Sequence, residues 1–355
     1  MGTGDTSGNQ EEEKGFVFQE LTQRNHQDLD LRPRKFDDFI GQERTLKNLR
    51  IFLEAAKLRQ EPLDHVLLSG MPGLGKTTLS HIIAHEMAVD LKITSGPALE
   101  RSGDLVGILS NLKRGEILFI DEIHRLPRVV EEYLYAAMED YCIDIVLDKG
   151  PAARSVRLGI ERFTLIGATT REGLLTSPMR ARFGVLEKLE LYPVKKLTRI
   201  LARTAALLNV EVDKDTLELI ASRSRGVPRV TNRLLRRIRD LAQVQGKERI
   251  NRETAIEGMA MMGIDGEGLV AMDRRILETI ARGRGEAVGL KTISVSVGEE
   301  EDTIEDVYEP FLIQKGYILK TPRGRKITPE GEKHINFKAG STKGGMGNQD
   351  SLFSK

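Results

Sequence analysis

The chain has 355 residues, of which 30% are charged and 39% hydrophobic, and its formal net charge is +1. This length allows two or three domains, and the composition is ordinary for a globular protein. No apolar run is long enough to cross a membrane, and no signal-peptide core opens the chain. The near-neutral charge argues against a uniformly basic nucleic-acid coat. A single cysteine, Cys142, excludes an internal disulfide and fits a reducing cytoplasm.

Both ends of the chain are predicted to be disordered tails. Residues 1–30 and 338–355 are polar, contain many glycines, and lack periodicity. The first predicted helix covers residues 44–59, where apolar side chains recur at helical spacing. An apolar run at 65–69 follows and predicts a strand.

The segment GMPGLGKTT at 70–78 lies between that strand and a predicted helix at 76–88. It fits the pattern of glycine, four residues, glycine, lysine, and serine or threonine. In such a loop, backbone N–H groups surround the phosphates, the lysine reaches the β- and γ-phosphates, and the hydroxyl that follows binds Mg²⁺. The segment therefore predicts a nucleoside-triphosphate site, which the resemblance described below assigns to ATP. Its candidate ligands are Gly70, Gly73, Gly75, Lys76, Thr77 and Thr78.

A second buried strand, predicted at 116–122, ends in Asp121 and Glu122. Acids at the carboxyl edge of a parallel sheet face the ligand site of an open α/β fold. We expect Asp121 to hold Mg²⁺ and Glu122 to polarise the attacking water. The alternative is a solvated acid pair at a strand end, and the upstream phosphate loop favours the functional interpretation.

The next elements alternate between strands and helices. A helix is predicted at 128–140, a hairpin at 142–158 with a turn at Gly150 and Pro151, and a buried strand at 162–170. Thr169 and Thr170 end that strand, where a hydroxyl can orient water. The alternation predicts a parallel sheet covered by helices on both faces.

Two arginines, Arg180 and Arg182, follow in the segment SPMRARFG. An arginine that reaches the γ-phosphate of a neighbouring subunit would stabilise charge in the transition state. The alternative for an isolated pair is two surface arginines, and the sequence does not separate Arg180 from Arg182.

After residue 193 the pattern becomes helical, with helices predicted at 194–208, 213–224, 228–245 and 251–262. The third of these helices begins at Pro228, with Arg229 beside it, in a position from which an arginine can contact phosphates. Its further arginines at positions 233, 236 and 237 favour a solvated or subunit-facing surface.

The last part of the chain has the pattern of a winged helix. Helices are predicted at 269–283, 289–297 and 302–316, and a two-stranded hairpin at 317–328. An acidic stretch at 299–309 precedes the basic hairpin, which contains Lys320, Arg323, Arg325 and Lys326. Phosphate contact and a solvated turn are both compatible with that charge.

Taken together, several segments closely resemble the RuvB family, bacterial AAA+ motors that drive branch migration of Holliday junctions. The resemblance covers residues 31–335 and differs at Met71, where the family usually has proline. The segments are LRPRKFDDFIGQE, GMPGLGKTT, LFIDEIHRL, GPAARSVRL, GATTREGLLTSPMRARFG, SRGVPR and LIQKGYILKTPRGR.

The resemblance implies an AAA+ parallel-sheet domain at 31–192, a helical lid at 193–263 and a winged-helix domain at 264–337. It places Leu31, Arg32 and Tyr192 at the nucleotide, and Glu139, Asp140 and Tyr141 at a subunit interface that bears nucleotide. It identifies Thr170 and Arg229 as sensors of the phosphates, and Lys320, Arg323 and Arg325 as DNA contacts.

The resemblance also implies the partners and the cellular role. These are a homohexameric ring on double-stranded DNA, RuvA docked on the hairpin at 143–158, RuvC as the junction nuclease, and a place in recombination, DNA repair and the SOS response. Two other functions are considered: a switch resembling a clamp loader, and a DNA-binding regulator without turnover. Glu122 and the arginine pair argue against the regulator, and the wing and hairpin favour the motor over the switch.

Overall fold

The computed structural model describes residues 31–146 and 155–341. The predicted tail at 1–30, the predicted turn at Gly150 and Pro151, and residues 342–355 lie outside the described residues. The chain divides into two compact units. Within the described residues, the first unit runs to Gly70, from Gly75 to Glu190, and from Arg203 to Asn209. The second contains Met71–Leu74, Leu191–Ala202 and the chain from Val210 onward.

The first unit is built on a parallel sheet. In chain order its strands are β1 Val66–Ser69, β2 Leu91–Ser95, β3 Ile117–Asp121, β4 Cys142–Val146, β5 Ser155–Gly159, β6 Thr164–Thr169 and β7 Val185–Lys188. Five of them form the sheet in the order β2-β3-β6-β1-β7, with every neighbouring pair parallel. The residues of β1 and β6 are buried throughout, as their apolar runs predicted.

Helices follow the strands of this sheet. They are α1 Glu43–Arg59, α2 Lys76–Met87, α3 Ser102–Leu109, α4 Arg128–Glu139 and α5 Ser177–Ala181. Short 3₁₀ turns lie at Phe36–Asp38, Gly96–Ala98, Ile123–Arg125 and Glu172–Leu174. Side chains of α3 and α4 join those of β3 and β6 in one hydrophobic core that includes Phe163. Burial of these apolar side chains holds the helices against the sheet.

The predicted hairpin is present as an antiparallel pair of β4 and β5, in which Cys142 faces Gly159 and Val146 faces Ser155. This pair stands apart from the five-stranded sheet. The side chain of Val156 on β5 is 49% exposed.

The second unit begins with helices of the predicted lid. These are α6 Val194–Leu207, which continues into the first unit, α7 Lys214–Ser222, α8 Pro228–Val244 and α9 Arg252–Met261. Two short strands, β8 Glu211–Val212 and β9 Arg249–Ile250, pair in parallel beside them. Pro228 opens α8, where its missing N–H leaves no hydrogen bond unmade.

The rest of the second unit is a winged helix. It contains α10 Ala271–Ala281, α11 Leu290–Val297, α12 Glu301–Thr303, a π-helical turn at Ile304–Tyr308, α13 Glu309–Gln314, β10 Ile318–Thr321, β11 Gly324–Ile327 and α14 Pro329–Ser341. One core of buried side chains, including Ile276, Phe311 and Ile327, joins these elements. The two strands form the predicted antiparallel wing.

Some elements differ from the sequence predictions. Strand β2, helix α3 and strand β7 were not predicted, and α14 extends to Ser341, past residue 337, where a tail was expected to begin. The backbone of residues 338–341 is helical, so the expectation of disorder was wrong for those four residues. No helix in the described part of the chain is both long and apolar enough to cross a membrane.

Candidate functional site

Three glycines of the predicted phosphate loop have backbone angles that other residues rarely adopt. The φ angles of Gly70, Gly73 and Gly75 are +139°, +83° and +111°. A Cβ atom on Gly70 would lie 2.6 Å from the carbonyl oxygen of Leu189, and one on Gly75 would lie 2.9 Å from Cζ of Phe39. The loop therefore requires glycine at these positions, as expected for a backbone that turns its amides toward an anion.

Helix α2 begins directly after this loop. Gly75 is its N-cap and provides no side chain to cap the first N–H groups, which leaves those donors for a ligand. Lys76 is buried, and its Nζ atom donates to the carbonyl oxygen of Gly70 at 2.6 Å. Thr77 and Thr78, the next residues of α2, are partly buried. The predicted phosphate ligands therefore converge on one helix N-terminus.

The order of the strands brings the predicted acids next to the predicted threonines. Strand β6 lies between β3 and β1, and the N–H of Gly70 donates to the carbonyl oxygen of Thr169 at the end of β6. Across the other edge of β6, the Thr170 hydroxyl donates to Oε2 of Glu122 at 3.3 Å. Asp121 accepts the N–H of Glu122 at 3.0 Å. Glu122 and Thr170, which are 48 positions apart in the sequence, are thus joined by a hydrogen bond beside the phosphate loop.

His124 is a member of this cluster that sequence reasoning missed. Its Nδ1 atom lies 3.0 Å from the Thr169 hydroxyl and 3.3 Å from Oε2 of Glu122. Its side chain is 6% exposed, whereas that of Glu122 is 32% exposed. Thr169 therefore bonds the buried imidazole, and Thr170 bonds the more exposed carboxylate. The one feature of the sequence that could have indicated a role for His124 at this site is its position two residues after Glu122.

Other predicted nucleotide residues lie in two separate places. In the second unit, the N–H of Arg229 lies 3.4 Å from the carbonyl oxygen of Gly73. The hydroxyl of the buried Tyr192 donates to the carbonyl oxygen of Leu74 at 3.3 Å. In the first unit, Leu31 is buried and its carbonyl oxygen accepts from Arg203 at 2.8 Å. Arg32, beside Leu31, is partly buried. Burial of His81 lowers the pKa of its imidazole, and the positive charge of Arg32 lowers it further.

The two arginines of α5 have different surroundings. Arg180 donates to the carbonyl oxygen of Glu172 at 3.1 Å. Arg182 donates to Oε2 of Glu139 at 2.9 Å, and its guanidinium lies 4.3 Å from the ring centre of Tyr135. Glu139 is the first residue of the predicted interface segment. The structure therefore joins Arg182, and not Arg180, to that segment.

The rest of the segment leads into the hairpin. Asp140 ends α4, and its carboxylate lies 3.6 Å from the guanidinium of Arg157 on β5. Tyr141 has a φ angle of +50°, and its ring packs edge-on against Phe163. A left-handed residue supported by an aromatic contact fixes the direction in which the chain enters β4.

The wing provides the main correction to the sequence predictions. Arg325 was expected to contact DNA, but it is 7% exposed, and its guanidinium forms ion pairs with Glu309 and, at 2.6 Å, with Glu305. Glu309 is itself 2% exposed. A guanidinium enclosed by two carboxylates is not available to a phosphate, so Arg325 attaches the wing to the acidic segment.

The other two wing residues differ in their availability. Lys320 forms an ion pair with Glu305 at 2.8 Å, and its side chain is 55% exposed. Arg323 is exposed at the tip between β10 and β11. Hydrogen bonds from Lys320 and Arg325 hold the pKa of Glu305 below its ordinary value. Lys320 and Arg323 are therefore the predicted DNA contacts that are exposed to solvent, and Lys320 is also paired with Glu305.

Comparison with known proteins identifies the family. Three family models match in sequence: the Holliday junction DNA helicase RuvB P-loop domain at residues 31–189, the RuvB AAA lid domain at 192–265, and the RuvB C-terminal winged helix domain at 266–336. The chain belongs to the RuvB family. It is accordingly a P-loop ATPase of the AAA+ class with a lid domain and a C-terminal winged-helix domain, as the sequence predicted.

Individual RuvB proteins are similar over most of their length. A Holliday junction branch migration complex subunit RuvB from Chlorobium luteolum is 56% identical over 299 residues, which cover 84% of this chain and 87% of the relative. The subunit from Christiangramia forsetii is 54% identical over 317 residues, covering 89% and 92%. A solved structure of the Thermotoga maritima RuvB branch migration motor is 49% identical, has a TM-score of 0.80, and covers 86% of this chain and 98% of its own.

The site geometry fits the nucleotide of a RuvB ATPase. The glycine angles and the uncapped start of α2 form a backbone cradle for phosphates. Among the described residues, no group of three or more His, Cys, Asp and Glu side chains is arranged so that it could hold a metal ion. At nucleotide sites Mg²⁺ commonly binds through one or two protein oxygens and the phosphates themselves. Thr77 and Asp121 are the candidate oxygens in this chain.

Proposed function

We propose that this chain is the ATP-driven motor subunit of a Holliday junction branch migration complex and translocates double-stranded DNA. One observation carries the proposal. The hydrolysis site, with Glu122 held by Thr170, lies on the same chain as a winged helix with an exposed arginine, Arg323, at its tip. A nucleotide-controlled binder would need the DNA module but not a positioned acid.

The chain's own groups support each part of ATP hydrolysis. The backbone amides of the phosphate loop and Lys76 bind the phosphates. Mg²⁺, held by Thr77 and Asp121, would neutralise charge on the phosphate oxygens. Glu122 polarises the attacking water, and the Thr170 hydroxyl holds Oε2 of that carboxylate while Oε1 is left for water. Tyr192 and Arg229 support the loop from the lid through Leu74 and Gly73.

The assembly we propose is a homohexameric ring with an arginine finger acting between subunits. Arg182 is the better candidate for the finger because it bonds Glu139, in the segment that the resemblance assigns to the subunit interface. Arg180 bonds a backbone carbonyl of its own loop. The ring would surround a duplex arm of the junction. Because its substrate is bacterial DNA, we expect the protein to act in the cytoplasm.

Two protein partners complete the proposal. RuvA would dock on the hairpin at 143–158, where Val156 presents an exposed apolar side chain on β5. RuvC would cut the junction after migration. This arrangement assigns the hairpin to the partner and the wing to DNA.

The decisive experiment is a migration assay on a synthetic four-way junction with RuvA present or absent. We expect ATP to drive separation of the junction into two duplexes, with little separation in ADP and a large increase on addition of RuvA. If ATP changes only how much protein is bound and the arms never separate, the chain is an assembly switch resembling a clamp loader. Glu122→Gln protein provides the control for binding without turnover.

A further inference from the structure

The turn between α7 and α8 contacts the phosphate loop inside the second unit. The N–H of Tyr192, whose hydroxyl reaches the loop, donates to the carbonyl oxygen of Gly226 at 2.9 Å. Three residues further along, Arg229 bonds Gly73. A Cβ atom on Gly73 would lie 2.8 Å from Cγ1 of Val227, so the loop and the turn are in close contact. A change in the loop on phosphate binding must therefore act on this turn.

The residue before Gly226 makes contact with the winged helix instead. Arg225 has a φ angle of +57°, and Gly226 follows with +72°. The guanidinium of Arg225 forms an ion pair with Asp273 of α10 and lies 4.8 Å from the ring centre of Phe311 in α13. Phe311 belongs to the winged-helix core. Residues 225–229 thus contact the phosphate loop at one end and the DNA-binding module at the other.

The ion pair between Arg225 and Asp273 is buried. The two side chains are 12% and 0% exposed. Asp273 also accepts the N–H of Val270 at 2.7 Å, and its other oxygen, Oδ1, has no hydrogen-bond partner in the structure. Burial raises the pKa of Asp273, and the positive charge of Arg225 opposes that rise. Separation of the pair would leave a carboxylate buried without its counter-charge, so the contact resists opening.

We propose that Arg225 is a positioning residue that couples the nucleotide state of the phosphate loop to the DNA affinity of the winged helix. Arg225 is not among the predicted nucleotide or DNA ligands, and its side chain contacts Asp273 and Phe311. It fixes the turn at 225–229 to α10 and Phe311, so that a shift of the turn at Gly73 also moves the winged helix. The inference rests on the proposed function, because it requires a chain in which ATP controls DNA.

The test measures the coupling between the two sites directly. Duplex affinity of the full chain is measured at one fixed salt concentration in ATPγS and in ADP, and the ratio of the two dissociation constants is the coupling. In Arg225→Met protein, which keeps an unbranched apolar side chain but removes the guanidinium, we expect this ratio to fall to about one. Nucleotide affinity and DNA-independent ATPase should stay at wild-type values, and Arg225→Lys should restore part of the ratio.

A second variant separates coupling from stability. In the double variant Arg225→Met with Asp273→Asn, both charges of this pair are removed, so no carboxylate is left without its counter-charge and the contact is tested even if the single variant unfolds. Its ratio should also be about one while its melting temperature stays near that of the wild type. The matched control is Arg249→Ala, which removes an Arg–Asp pair with Asp213 on the exposed surface of the lid and should keep the full ratio.

Several results would overturn the inference. A wild-type ratio in the folded double variant, or equal weakening of DNA binding in both nucleotides, would reduce Arg225 to a structural residue. A ratio of one in the wild type would mean that there is no coupling to transmit. Failure of the wild type to migrate a four-way junction is a different result: it would reject the proposed motor but leave the measured ratio to decide the role of Arg225.

Discussion

At the scale of single residues, the clearest expectation concerns Glu122. Replacement by glutamine keeps the size of the side chain but removes the carboxylate to which we assign polarisation of the attacking water. We expect Glu122→Gln to bind ATP normally and to lower kcat by about 10²–10⁴-fold, the usual contribution of a general base. Single-turnover hydrolysis and nucleotide titration measure the two effects. An unchanged kcat in Glu122→Gln would contradict the role that we assign to Glu122. Lys76→Ala should instead weaken nucleotide binding itself.

Thr170 tests how Glu122 is held. Thr170→Val keeps the shape of the side chain but loses the hydrogen bond to Oε2, and we expect kcat to fall by roughly 10–100-fold, as for loss of a bond to a charged group. Thr169→Val is a useful comparison, because the Thr169 hydroxyl bonds His124. If both variants lost activity equally, the difference between the two threonines would have no mechanistic meaning.

The sequence identified both threonines but not their partners. A strand that ends in two hydroxyls gives no indication which of them turns toward the neighbouring strand. That choice depends on the order of the strands, with β6 between β3 and β1, and strand order is a non-local property. The same limit explains why His124 was missed: its role depends on Thr169, 45 residues away.

At the scale of elements, the wing divides its basic residues into two roles. Arg323→Ala should weaken binding to every duplex sequence equally and lower the salt dependence by about one unit of slope, because phosphate contacts are independent of sequence. Arg325→Ala should instead destabilise the winged helix by about 3–5 kcal/mol, since it leaves Glu309 buried without its partner. Duplex titrations over a range of salt concentrations and thermal unfolding distinguish the two effects.

The exposed Lys326, next to Arg325 on the hairpin, provides the control. Lys326→Ala should leave the melting temperature unchanged, so that any loss of stability in Arg325→Ala belongs to the buried pair. If Arg325→Ala were as stable as the wild type and bound DNA weakly, the original expectation of a direct phosphate contact would be restored.

The burial of Arg325 could have been predicted from strand periodicity, although the charge of its side chain suggested exposure. Side chains two apart in a strand share a face, so Arg325 shares one with Ile327, which is buried. The exposed Lys326 lies between them. The acidic stretch before the wing supplies the counter-charges, Glu305 and Glu309. Strand periodicity was thus more informative here than the count of basic residues.

Other elements were not predicted because their sequences lack a clear apolar run or are too short to show helical periodicity. Strand β2 lies at the edge of the sheet, and none of its residues is fully buried, so it lacks the apolar run that revealed β1, β3 and β6. Helix α3 has only eight residues, which is barely two helical turns. The longer elements, with clear apolar periodicity, were placed within a few residues of their observed ends.

At the scale of the whole molecule, the motifs predicted a three-part organisation, but they did not indicate that the phosphate loop divides between the two compact units. Met71–Leu74 of the phosphate loop groups with the second unit and not with the sheet that carries the rest of the loop. The cause is contact between Gly73 and Leu74 and the lid residues Arg229 and Tyr192.

The proposed ring can be tested by mixing variant and wild-type subunits. If Arg182 acts on the nucleotide of a neighbouring subunit, Arg182→Ala protein should bind ATP normally and yet poison wild-type rings when the two are mixed. For a hexamer in which one defective subunit stops the ring, an equal mixture would retain about 2% of wild-type migration, compared with roughly half if each subunit acted alone. Arg180→Ala is the matched control on the same short helix, and because Arg180 bonds only its own loop carbonyl it should not poison the ring. Loss of activity in simple proportion to the variant added would rule out a finger in trans, and poisoning by Arg180→Ala alone would assign the finger to that residue.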